Sequence, residues 1–115
     1  MENFFIPYKL AVIAKEKGFD GLCIACYDKL NMLATYTKLF QPIAYNNDAY
    51  CISAPTYQQI IDWFRDKHDI VIYSNRLSNE HKGIYVSFIN NEEVIESDGY
   101  YYTLAKAIEK AFNLI

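Results

Sequence analysis

Between Ser53 and Leu77 the spacing of apolar residues changes part-way, and that change limits what the chain can fold into. In SAPTYQQIIDWFRDKHDI the side chains Tyr57, Ile60, Ile61 and Phe64 recur at intervals of one, three or four. A turn of about 100° per residue places them on one side of a helix. Gln58, Asp62 and Asp66 fall on the other side, with Arg65 at its margin. Trp63 takes the opposite shoulder, beside Gln59 and Lys67. Ser53 is the expected N-cap, with Pro55 in the first turn. Asp62 and Arg65 stand three residues apart, close enough to pair. In DIVIYSNRL the period shortens to two, with Val71 and Tyr73 alternating with Ile70 and Ile72. That is the pattern of a strand buried on at least one side.

The flanking segments extend this pattern. SNEHKG, 78–83, is a polar connection, and IYVSFI is a second strand. Asn90-Asn91 is a two-residue hairpin turn, and EEVIES is an acidic third strand. Ser97 or Asp98 is expected to cap a last helix at 100–115, with Leu104, Ile108, Ala111, Phe112 and Ile115 on one face. Upstream, Pro7 opens a helix over YKLAVIAKEK, whose stripe is Tyr8, Leu10, Ala11, Ile13 and Ala14. Gly18 suits the residue just past its end, with Phe19 folding back on the last turn. Residues 22–27 and 32–40 read as two strands joined by a turn from Asp28, Lys29 and Asn31, although 30–39 also fits a helix. Residues 41–51 read as a loop around Pro42 and Asn46-Asn47-Asp48. The expectation is one α+β domain over 1–115. An antiparallel sheet carries helices on one face, in the order helix, hairpin, helix, three strands, helix. Residues 1–52 form its first part and 53–115 its second.

Composition narrows the function. The chain has 115 residues, 52% hydrophobic and 22% charged, proportions typical of a globular protein. Its net charge of −3 gives no long-range attraction for nucleic acid or an anionic membrane. Only two arginines are present, Arg65 and Arg76. No apolar run approaches the roughly 18 residues of a membrane span. The opening MENFFIPYKL lacks the basic start and apolar core of a signal peptide. A cytoplasmic location is expected, with Cys23, Cys26 and Cys51 reduced.

Reactive constellations are sparse. Cys23-Ile24-Ala25-Cys26 has C-x-x-C spacing, but its neighbours read as a strand, in which residues three apart point to opposite faces. Buried structural thiols are therefore expected rather than a metal or redox pair. His68, at a helix end, can cap carbonyls or favour the helix dipole, and His81 lies in the polar connection. Neither has a metal-binding motif around it. Glu92, Glu93, Glu96 and Asp98 read as a solvated sheet edge. With four glycines the chain has little capacity for phosphate-cradling loops. No cofactor, metal or catalytic set is expected. The order helix, three strands, helix is shared with double-stranded-RNA-binding domains. Here the last helix starts Tyr100-Tyr101-Tyr102-Thr103 rather than with basic residues, so nucleic acid is not the expected partner.

Several blocks carry a family likeness. They are Tyr8 with Ala11, Gly18-Phe19-Asp20, Cys23, Ala54-Pro55-Thr56-Tyr57-Gln58-Gln59 and Trp63-Phe64-Arg65. In these the chain resembles a family of small uncharacterised proteins of gut Bacteroides-type bacteria and their phages and prophages. The resemblance implies a phage or mobile-element setting and no mechanism. Together with the 11 tyrosines, it leads to the expectation of a non-enzymatic protein that binds a host protein as an anti-defence or regulatory inhibitor. The expected contacts are Gln59, Trp63, Arg65, Lys67, Tyr100, Tyr101 and Tyr102, since Trp, Tyr and Arg are favoured anchors. Two alternatives accompany it: a small-ligand or nucleotide binder with Tyr rings on a base and Arg65 or Lys67 on phosphate, and an RNA-binding module. Self-association is left open.

Overall fold

The computed structural model describes residues 4–35, 43, 45–47, 51–77 and 83–115. The far end of the expected second strand (36–40), most of the expected loop at 41–51, and the connection at 78–82 with His81 and Lys82 lie outside them. The described residues form an α+β chain of three α-helices and six strands. It divides into two compact units, Met1–Ile60 and Ile61–Ile115. The division falls at 60/61, inside the second helix, rather than before Ser53.

In the first unit, helix α1 (Tyr8–Glu16) follows Pro7, which is its N-cap rather than its first helical residue. Leu10, Ala11 and Ala14 bury one face. The end of α1 matches the expectation in detail. Gly18 has φ 89, the Gly18 N–H bonds to the Lys15 carbonyl at 3.1 Å, and the Phe19 N–H bonds to Ala14 at 2.9 Å. This pair of bonds is a Schellman stop, which needs a left-handed residue and so favours glycine. Phe19, buried, closes it against the last turn.

Strand β1 (Ala25–Tyr27) is central, with β2 (Leu33–Thr35) on one side and β3 (Ile52–Ser53) on the other, all antiparallel. The turn between β1 and β2 uses Asp28, whose Oδ1 accepts the N–H groups of Leu30 and Met32 at 2.8 and 3.1 Å. Asn31 takes φ 62 there, a conformation asparagine tolerates because its short side chain bonds locally. Strand β3 was not expected. Two residues are too few to show a period, and Ser53 belongs to it rather than to a helix cap. The 3₁₀ turn Tyr45–Asn47 is tied to β3 through Asn46. Its N–H donates to Ser53 Oγ at 3.1 Å, its Oδ1 accepts the Ser53 N–H at 2.7 Å, and its Nδ2 donates to the Phe19 carbonyl at 2.8 Å.

The second unit contains a separate sheet: β4 (Ile72–Arg76), β5 (Tyr85–Ile89) and β6 (Glu92–Ser97), in that order and antiparallel. The single sheet expected from the sequence is thus two three-stranded sheets. The β5–β6 turn is the expected two-residue one. Asn90 and Asn91 have φ 50 and 72, positive at both positions as a type I′ turn requires. Asn90 also holds the start of β4. Its N–H donates to the Val71 carbonyl at 2.8 Å, and its Oδ1 accepts the Val71 N–H at 2.9 Å. A bulge between Ser87 and Phe88 shifts the β5–β6 register.

Helix α2 (Tyr57–His68) precedes this sheet and α3 (Tyr100–Phe112) follows it. The α2 end has Asp69 at φ 55 and a bond from the Ile70 N–H to the Phe64 carbonyl. Helix α3 touches all three strands. Its buried face is Thr103, Leu104, Ala107, Ile108, Ala111 and Phe112; Ile115 lies beyond the helix end. Its N-cap is Gly99, with no side-chain cap bond. Ser97 and Asp98 do not cap it: Ser97 is still in β6, Asp98 forms a bend, and the N-cap position falls on Gly99.

Two substitutions in the β4–β5–β6 sheet should act in opposite directions. Asn90→Ala removes both side-chain support of β4 and a tolerated left-handed residue, and should cost about 1–2 kcal/mol. Ser87 is fully buried, and its Oγ has no hydrogen-bond partner among the described residues. Ser87→Ala should therefore be neutral or stabilising by up to about 1 kcal/mol. Urea denaturation of the full chain measures both. A large loss for Ser87→Ala would mean that its hydroxyl is satisfied.

Candidate functional site

Residues 53–70 divide into a structural half and an exposed half. Helix α2 starts with a reciprocal cap. Thr56 Oγ1 accepts the Gln59 N–H at 3.1 Å, and Gln59 Oε1 accepts the Thr56 N–H at 2.9 Å. This is a capping box. The N-cap is thus Thr56, three residues beyond the expected Ser53. Gln59 Nε2 also donates to the Leu22 carbonyl at 2.7 Å, within the first unit. Both ends of the Gln59 amide are engaged in holding backbone.

Trp63 is packed rather than presented. It is 9% exposed. Its ring meets Phe64 at 5.1 Å, His68 at 4.7 Å and Phe112 at 6.4 Å, and Phe64 meets Phe112 at 5.0 Å. The contacts to Phe64 and His68 are edge-on, the arrangement that ring quadrupoles favour. His68 is therefore an aromatic neighbour of Trp63. The shoulder assigned to Trp63 by helical rotation is covered by a residue 49 positions on, Phe112, whose contact no local period reveals.

Arg65 and Lys67 are exposed. The Arg65 guanidinium lies 3.2 Å from Asp62 and 3.2 Å from Asp66, so the Asp62 pairing expected from the spacing is present. The pair is open to solvent, and its contribution to stability is about 0–1 kcal/mol.

The tyrosines at the start of α3 are brought together. Tyr100 stands edge-on to Tyr101 at 5.2 Å and to Tyr85 of β5 at 5.5 Å. Tyr100 is 40% exposed and Tyr102 50%. Lys106 lies over the Tyr102 ring at 5.6 Å, a cation–π distance. Just before these residues, an open groove of about 490 Å³ is lined by Leu77, Ile84, Glu96, Ser97 and Asp98. Leu77 and Ile84 stand opposite each other at the end of the β4–β5 ladder, joined by the bond from Leu77 N–H to Ile84 O at 2.9 Å. The sequence marked the acids of this groove but not its apolar lining, because residues seven apart meet only once the hairpin closes.

Of the expected contact residues, Gln59 caps and Trp63 packs. Arg65 and Lys67 are exposed on α2, Tyr100 and Tyr101 form an aromatic patch with Tyr85, and Tyr102 is half-exposed beneath Lys106. Among the described residues no group of three or more His, Cys, Asp or Glu could hold a metal ion, and no helix is long and apolar enough to cross a membrane. Cys23 and Cys26 are fully buried thiols, and Cys51 is a half-buried one; none is in a disulfide among the described residues. Burial pushes the Cys23 thiol from 9.0 up to about 11, against a smaller lowering by a hydrogen bond from Ser53. A thiol held protonated is a poor nucleophile and a poor metal ligand. Comparison of the chain with protein-family models, curated proteins and solved structures finds no match.

Trp63→Ala should cost about 3–5 kcal/mol in a urea melt, whereas Arg65→Ala should cost less than about 1 kcal/mol. A near-neutral Trp63→Ala would contradict its placement in the core. The thiols give a second measurement. Labelled at pH 8 with a chromogenic disulfide, the native protein should release one equivalent rapidly, from Cys51, and two more only on unfolding. The unfolded Cys23 thiol ionises near 9.0 and the folded one near 11. Its contribution to stability is therefore intact below 9.0 and falls as pH rises through that window. A Cys23→Ala variant should show a shallower alkaline decline.

Proposed function

We propose that the chain is a small non-enzymatic binding protein that engages a protein partner through the aromatic patch of Tyr85, Tyr100, Tyr101 and Tyr102. The observation that carries this reading is the cluster of half-exposed tyrosine rings at the start of α3. Rings supported on one side and open on the other supply large contact area with few torsions to freeze. With Gln59 and Trp63 occupied in capping and packing, the contact assignment narrows to these tyrosines. The resemblance to a phage and prophage family supplies the setting: a mobile element acting on a protein of its bacterial host, in the host cytoplasm. The nucleotide-binding alternative is weakened, because the Arg65 guanidinium already faces two carboxylates.

The test is affinity capture from a bacterial host lysate on the immobilised full chain, beside a Tyr100→Ser/Tyr102→Ser variant whose fold is verified by circular dichroism. Both rings are at least 40% exposed, so the variant should fold. One partner, retained stoichiometrically by the natural chain and reduced about ten-fold or more by the variant, is expected. Equal recovery on both would overturn the assignment.

A further inference from the structure

The groove beside the tyrosine patch has a composition that selects among partners. Its apolar lining is Leu77 and Ile84, and its polar lining is Glu96, Ser97 and Asp98. Its volume of about 490 Å³ falls within the roughly 300–1,000 Å³ range of ligand clefts. Glu96 and Asp98 are exposed, and neither is ion-paired among the described residues. Among the described residues Asp98 accepts only the neighbouring Ser97 hydroxyl, at a long 3.4 Å. Among the described lining residues there is no lysine or arginine, and Glu96 and Asp98 set negative charge beside the apolar Leu77 and Ile84.

We propose that this groove receives an arginine side chain from an otherwise apolar segment of the partner protein, with its methylene stem on Leu77 and Ile84 and its guanidinium between Glu96 and Asp98. The proposal rests on the protein-binding reading above and gives it a partner chemistry. Complementarity of charge and of polarity along the side chain carries it. Arginine is the cation whose long apolar stem covers such a floor while its head stays at the wet rim. Its planar guanidinium donates to carboxylates in a forked geometry and stacks on aromatic faces, which a lysine ammonium does not do. An anionic or neutral polar segment would leave both carboxylates uncompensated beside the apolar floor.

The experiment is amide chemical-shift mapping on the ¹⁵N-labelled full chain with two probes, acetyl-Leu-Arg-Leu-amide and its neutral isostere acetyl-Leu-citrulline-Leu-amide. The arginine peptide should shift the amides of Leu77, Ile84, Glu96 and Asp98. The citrulline peptide should bind about five- to ten-fold more weakly, and Glu96→Gln/Asp98→Asn should lose the arginine preference with the rest of the spectrum unchanged. Rising salt should erode that preference. Absence of groove shifts, shifts confined to other surfaces, or equal binding of the two peptides would overturn the inference. The two proposals fail separately. If the tyrosine variant loses its lysate partner while Glu96→Gln/Asp98→Asn keeps it, the binding reading stands and the arginine groove falls.

Discussion

The hydroxyls of Ser74 and Thr103 meet at 2.8 Å where α3 crosses β4. Thr103 Oγ1 donates to the Tyr100 carbonyl at 2.7 Å, so the proton shared with Ser74 comes from the serine. This contact fixes the first turn of α3 on the sheet, and the second unit depends on that docking. A three-stranded sheet is stable only when one face is covered. Helix α3 supplies the cover through Leu104, Ala107, Ile108, Ala111 and Phe112. The burial of Phe112 then brings Phe64 and Trp63 into one aromatic cluster. The first unit solves the same problem differently. Among the described residues its strands are two or three residues long, too short for ladders to dominate, and side chains bond to distant backbone as well. Tyr27 donates to the Ile6 carbonyl at 2.6 Å and Lys15 to the Cys51 carbonyl at 2.9 Å.

How far the sequence revealed this fold follows from the range of each signal. Features whose cause lies within a few residues were legible: the Gly18 stop, the Asn90-Asn91 turn, the Asp28 turn and the shift from helical to strand period after His68. The start of α2 was misplaced even though its cause is local. Ser53 is a good cap by type, but Pro55 is buried outside the helix, and Thr56-x-x-Gln59 is the pattern that the backbone uses. The start of α3 at Tyr100 was legible but its cap was not: pairing with Tyr85 keeps Ser97 in β6, and the N-cap falls on Gly99. Strand β3 and the separation into two sheets depend on pairings between distant segments, and no period announces those.

The candidate site was legible in the same proportion. The Tyr100–Tyr102 run could be read directly, since three successive tyrosines at a helix start cannot all face a core 100° apart. Trp63 could not be placed, because its burial depends on Phe112. The groove could not be seen at all until the β4–β5 hairpin set Leu77 against Ile84. What emerges is a division of labour along the chain. The Trp and Gln of α2 serve the scaffold. The tyrosines of α3, with carboxylates just before them, make a surface that is aromatic, acidic and open.

Asn46 joins three segments through one amide: the stop of α1, the 3₁₀ turn and β3. Its Nδ2 has to be a donor, because the atom it faces is the Phe19 carbonyl oxygen. Hydrolysis of that amide to a carboxylate, the ordinary chemical ageing of asparagine, would set two oxygens against each other at this junction. A carboxylate at this position would therefore loosen the tie between the three segments.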